Sequence, residues 1–94
     1  MKIIGKTTDG NYVVSGLAEL YFRDGLPLSI IFDLIKEKNY QPSWIHVYQE
    51  LKDNGMQHDR IMHLLNEHVF EIYGKEYRDE IIRRLDIAHQ PKLE

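Results

Sequence analysis

Histidine is the residue type in this chain best suited to chemistry. There are five among 94 residues, and three of them, His58, His63 and His68, recur five positions apart. An imidazole can ligate a metal, move a proton or change charge near neutrality. A metal site on one helix needs ligands three or four residues apart, so that they share a face. A spacing of five turns each ring about 140° from the last. The three rings therefore scatter around a helix. Asp59, His63 and Glu67 do fall on one i+4 stripe, but two carboxylates and one imidazole on a single open helix make a weak cation site. The expectation is a hydrated polar face with no metal. His46/Glu50 and His63/Glu67 each set a carboxylate one turn from an imidazole, a pairing common on solvated helices that becomes chemistry only beside a nucleophile or a substrate pocket.

No nucleophile stands out. There is no cysteine, which removes thiolate zinc sites, iron–sulfur clusters, disulfides and cysteine catalysis together. Ser15 and Ser29 lack the Gly-x-Ser-x-Gly setting that exposes a catalytic hydroxyl. The chain has no Walker-type loop, no Gly-x-Gly-x-x-Gly, and no calcium-loop spacing around Asp9-Gly10. These absences lead to the expectation of a non-enzymatic protein without a cofactor.

Aromatic residues offer a different kind of site. Tyr40, Trp44 and Tyr48 lie at i+4 steps, and Tyr21, Phe22, Phe70, Tyr73 and Tyr77 add to an aromatic content of 11%. Large rings dominate both cores and interface hot spots. On so small a domain some of them are surplus to a core. Trp44, Tyr48, Tyr73 and Tyr77 are accordingly the residues expected to bind a protein partner or a second copy of the chain.

A second candidate site lies between Trp44 and His68. Gly55 would occupy a tight turn, Met56 follows it, and Ile61 and Leu64 would dock a second helix on the first. Over about 20 residues this resembles DNA-binding helix-turn-helix units. The resemblance implies a sequence-specific DNA-binding regulator whose second helix contacts base edges through Gln57, His58, Arg60 and His63. Two features depart from the pattern: Leu51 stands where a small residue is expected, and Asp59 and Glu67 would face a polyanion. An ordinary αα-hairpin would use the same glycine for the same turn.

These residues must be held by elements that the sequence marks fairly clearly. Lys2–Thr7 and Tyr12–Ser15 are β-prone runs around an Asp-Gly reversal, which predicts a hairpin over 2–15. A lone hairpin is only marginally stable in water, so it must find cover. Residues 17–23 fit either a third strand or a short helix, and helix is preferred. Gly25, Asn39, Gly55 and Gly74 each follow an amphipathic stretch, where a left-handed residue ends a helix, while Pro27 and Pro42 stand near the next starts. The resulting helices span about 17–23, 27–38, 42–54, 57–73 and 75–88. The second is apolar around most of its circumference (Leu28, Ile30, Ile31, Phe32, Leu34, Ile35) and is expected at the centre of the core. The third sets Trp44, Tyr48 and Leu51 on one stripe with Val47 beside it. The fourth opens with Met56 and Ile61 bracketing a cap at Gln57 and buries Ile61, Leu65, Val69 and Ile72. Val69, Tyr73, Tyr77, Ile81 and Leu85 form an unbroken i+4 series that could carry one helix through Gly74, but a break there is preferred. Glu71/Lys75, Asp79/Arg83 and Glu80/Arg84 have the spacing of exposed ion pairs.

Composition fits this picture. The hydrophobic fraction is 43% and the charged fraction 29%, as in an ordinary globular domain. The net charge of −3 is spread evenly, with three basic against three acidic residues over 1–25, three against four over 26–55 and six against eight over 56–94. No basic patch favours nucleic acid, and the one adjacent pair, Arg83-Arg84, has acids beside it. The apolar stretch at the start stops after two residues, and no segment approaches the roughly 20 apolar residues of a membrane span. The sequence thus predicts an α+β, mainly helical fold, an N-terminal β-hairpin packed on a four- or five-helix bundle-like array. It forms one small cytoplasmic domain over 1–92, with helices over 17–88, and residues 93–94 have the look of a cloning scar. Its expected role is a protein-interaction module, self-associating or partner-binding, with DNA recognition through 44–68 as the alternative and no membrane contact.

Overall fold

The computed structural model describes residues 2–8, 10–38 and 41–88. Strands β1 (Lys2–Lys6) and β2 (Tyr12–Ser15) form an antiparallel hairpin, followed by a short helical segment and by α1 (Leu28–Glu37), α2 (Trp44–Asp53), α3 (His58–Tyr73) and α4 (Lys75–Ala88). This is the α+β, mainly helical architecture that the patterning predicts. No helix among the described residues is long and apolar enough to cross a membrane.

The hairpin finds its cover on one strand only. Its turn is tied by Thr7, whose amide donates to the Asn11 carbonyl and whose hydroxyl accepts the Asn11 N–H. Along the outer side of β2, Tyr12 N–H donates to the Gln41 carbonyl at 2.8 Å and Ser43 N–H to the Tyr12 carbonyl at 2.7 Å. That short parallel pairing satisfies backbone groups a two-stranded ribbon would leave open. Val14 is buried, whereas all five residues of β1 are exposed. Between Ile3 and Gly5 the register slips by one, which makes Ile4 the extra residue of a β-bulge.

Residues 17–23 are helical, as expected, but Glu19–Arg23 is wound as a π-helix. Asp24 N–H reaches the Glu19 carbonyl five residues back, at 3.1 Å. The wider turn lets Leu17 and Ala18 bury while Phe22 points outward.

The stop at Gly55 follows from local hydrogen bonding. Gly55 N–H donates to the Lys52 carbonyl and Met56 N–H to the Leu51 carbonyl, the paired bonds of a Schellman end, with Gly55 at φ 101°. Met56 and Leu51 are both buried, which supplies the apolar contact that accompanies such an end. Gly74 separates α3 from α4 at φ 94° and ψ 173°, a conformation essentially confined to glycine, so the i+4 series is broken as preferred. The stop assigned to Asn39 and the aromatic Tyr40 lie outside the described residues.

The core gathers one face from each helix: Ile31, Phe32 and Ile35 of α1, Val47, Tyr48 and Leu51 of α2, Ile61, Leu65 and Val69 of α3, Ile81 and Leu85 of α4. Three expectations need correcting. Helix α1 is not enclosed all round, because Ile30 and Leu34, one turn apart, face solvent. Ile72 is only partly buried, and Gln57 makes no side-chain cap to α3, although Met56 and Ile61 are both buried around it.

Candidate functional site

Of the four rings expected to bind a partner, Trp44, Tyr73 and Tyr77 are drawn together and Tyr48 packs against His58, but into the protein. Trp44 is 5% exposed and Tyr48 1%, so both are core residues, and this overturns their expected place on a contact surface. The i+4 stripe that carries them is the side of α2 that meets the other helices. Trp44 packs edge-on against Phe32 and Tyr73, with centroids 5.2 and 5.9 Å away, and Tyr73 stacks on Tyr77 at 4.6 Å. The indole N–H donates to the Tyr77 hydroxyl at 2.8 Å, and that hydroxyl donates in turn to Gln41 Oε1. Tyr73 and Tyr77 are half-buried, and the Lys36 ammonium covers the Tyr73 ring at 5.5 Å while donating to the Ile72 carbonyl. Burial pushes the Tyr77 hydroxyl above its ordinary pKa, opposed by the Trp44 hydrogen bond and the positive charge of Arg84.

The candidate DNA-contacting residues are split. Gln57, just before α3, is exposed, as are Arg60 and His63. His58 instead turns inward, sharing a 2.7 Å hydrogen bond with the Tyr48 hydroxyl and packing against that ring. His63 Nε2 lies 3.6 Å from Glu67, and His68 faces Phe32 and Glu71, so the three imidazoles occupy different surroundings, as their spacing requires. Ile61 and Leu64 are buried, the docking role that the helix-turn-helix resemblance assigns them. No group of three metal-binding side chains converges among the described residues.

The His46/Glu50 pair dissolves into two structural roles. Glu50 accepts the Gly16 N–H at 2.9 Å and the Ala18 N–H at 2.7 Å, so its carboxylate caps the start of the helical segment that follows the hairpin. His46 shares a 2.6 Å hydrogen bond with Ser43, the residue before α2. Ser43 and His46 stand at the cap and third positions of the helix, so the bond ties its first turn through side chains without capping a backbone N–H. Neither role is visible in sequence spacing, since Glu50 acts across 32 residues.

Two surface features remain. The first is the outer edge of β1, along which no strand lies among the described residues; Ile3 and Ile4 are 45% and 61% exposed there, with Lys2 and Lys6 at either end. Alternation of apolar and polar residues could not find it, because Ile3-Ile4 is a doublet accommodated by a bulge. The second is a groove of about 530 Å³ between the hairpin turn, the first turn of α2 and the last turns of α4. Thr7, Thr8 and Asn11 form one wall, Ser43, Trp44, Ile45 and His46 another, and Ile81, Arg84, Leu85 and Ile87 the third. On α4 the ion pairs differ in part from the spacing-based set. Glu80/Arg84 forms at 2.8 Å, but Arg83 pairs with Glu80, and Asp79 takes Lys75 and Arg78.

Comparison of the chain with protein-family models, with curated proteins and with solved structures finds no match.

Proposed function

We propose that the protein is a non-enzymatic interaction module that receives an extended segment of another protein along the outer edge of β1. The observation that carries this reading is the asymmetry of the hairpin: β2 is half-buried around Val14 and paired at Tyr12 on its outer edge, while β1 is exposed throughout and has no strand along its outer edge among the described residues. An open strand edge offers main-chain donors and acceptors to a partner strand. Covering the exposed halves of Ile3 and Ile4 would contribute about 1 kcal/mol each.

Charge favours a partner segment over a second copy. Pairing β1 antiparallel with itself at full overlap sets Lys2 opposite Lys6 at both ends, and like charges directly opposed are destabilising. Lysines at an edge are a common protection against self-pairing. A segment with apolar residues flanked by acids meets the same lysines favourably.

The reading is tested with two short peptides, blocked at both ends, one with a Val-Thr-Val centre between Asp and Glu and one with the same centre between lysines. The expected result is tighter binding of the acidic peptide and reversal of the preference in a K2E/K6E variant. Equal binding of both, or no reversal, overturns it.

DNA recognition by α3 is the second reading, favoured by the tight Gly55 turn and the docking of Ile61 and Leu64. The engagement of His58 with Tyr48 and the acids Asp59 and Glu67 weigh against it. Titration with random duplex DNA at low salt tests it, and the expected outcome is no binding.

A further inference from the structure

We infer that the groove between the hairpin turn, α2 and α4 binds a small amphipathic carboxylate, a role separate from the strand-edge docking proposed above. Its size falls in the range of pockets that enclose small organic ligands. Its apolar lining is Trp44, Ile81 and Leu85, and Ile45 and Ile87 are half-exposed beside them. Such a surface suits a short hydrocarbon body.

The polar groups facing it select for an anion. Arg84 reaches the groove with only its Nε engaged among the described residues, on Glu80 Oε1 at 2.8 Å. Glu80 is shared, because Arg83 takes both of its oxygens at 2.8 and 2.9 Å. One carboxylate between two guanidiniums leaves a net positive charge at the groove, with the Nη1/Nη2 edge of Arg84 available for a bidentate partner. Asp86, the next acid on α4, does not line the groove, and no carboxylate does among the described residues. On the opposite wall His46 has committed Nδ1 to Ser43, and the Thr8 hydroxyl offers a further donor. An apolar body with a single carboxylate head satisfies both halves of this surface at once, whereas inorganic phosphate would leave the apolar lining uncovered.

Octanoate is the probe, followed by amide chemical shifts in the full chain, with octanol as the neutral counterpart. The expected result is saturable shifts centred on Thr8, His46 and Ile87, weaker binding of octanol, and a loss of octanoate affinity of about tenfold or more in Arg84→Gln. Arg83→Gln removes the same formal charge from the same helix at a side chain that does not line the groove, and it weakens octanoate binding clearly less than Arg84→Gln does. Octanol binding as well as octanoate, equal losses in the two variants, or shifts that do not saturate would overturn the assignment. Because β1 is untouched by either substitution, the strand-edge peptides continue to bind whichever way this experiment falls.

Discussion

Glu50 Oε2 accepts the Ala18 N–H at 2.7 Å across 32 residues of sequence, while its other oxygen holds Gly16. A helix on the far side of the chain thus supplies the cap that the segment after the hairpin lacks, since Ala18 itself offers no side-chain acceptor. This joins the end of β2 to α2 through hydrogen bonds.

Replacing Glu50 by Ala leaves both amides without their acceptor in a half-buried setting. The expected loss is about 2 kcal/mol of folding stability, and Glu50→Gln, which keeps one acceptor, should lose less. Urea unfolding of the two variants checks the order. A Glu50→Ala variant as stable as the parent would show that the cap is replaced by water.

Tyr77 predicts an alkaline effect. Its hydroxyl is held above the ordinary tyrosine pKa by burial, so the unfolded chain ionises first as pH rises. The stabilising contribution is fully present below the unfolded tyrosine pKa of about 10 and is lost as pH climbs through the folded value. A Tyr77→Phe variant should therefore lose less stability over that interval than the parent, measured as the shift of the thermal midpoint between neutral and strongly alkaline buffer. At the acid end, Asp79 is held below its ordinary pKa by Lys75 and Arg78, and Glu80 by Arg83 and Arg84. Both are surface groups, so their contribution, present above the ordinary carboxyl range and lost as pH falls through the lowered values, is small.

Gly74 tests the break between α3 and α4. A Cβ there would meet nothing within 4 Å, so any cost of Gly74→Ala is conformational and not steric crowding. At φ 94° and ψ 173° that cost is about 1–3 kcal/mol. Thermal unfolding measures it. A variant more stable than the parent would mean that the two helices straighten into one.

Much of the fold was legible because its punctuation is local. Gly10, Gly25, Gly55 and Gly74 all adopt positive φ where a turn or helix end is expected, and the apolar stripes of α2 and α3 bury as their periodicity predicts. What spacing could not reveal is pairing between distant elements. Trp44 and Tyr48 lie on that inward stripe, yet ring type alone equally suits an interface, because it does not say whether another helix will cover it. His46 and Glu50 look like partners one turn apart, yet each is claimed by a group outside that pair. The groove is assembled from three separated stretches, and the exposed edge of β1 depends on which strand the helices choose to cover.

The most direct test of the account is amide hydrogen exchange along β1 with and without the acid-flanked peptide. If the edge is a docking strand, the outward amides of Lys2–Lys6 exchange freely in the protein alone and become protected on binding, with β2 little changed. Protection that appears instead on α3, or peptide binding that leaves the β1 amides exchanging as before, would contradict it.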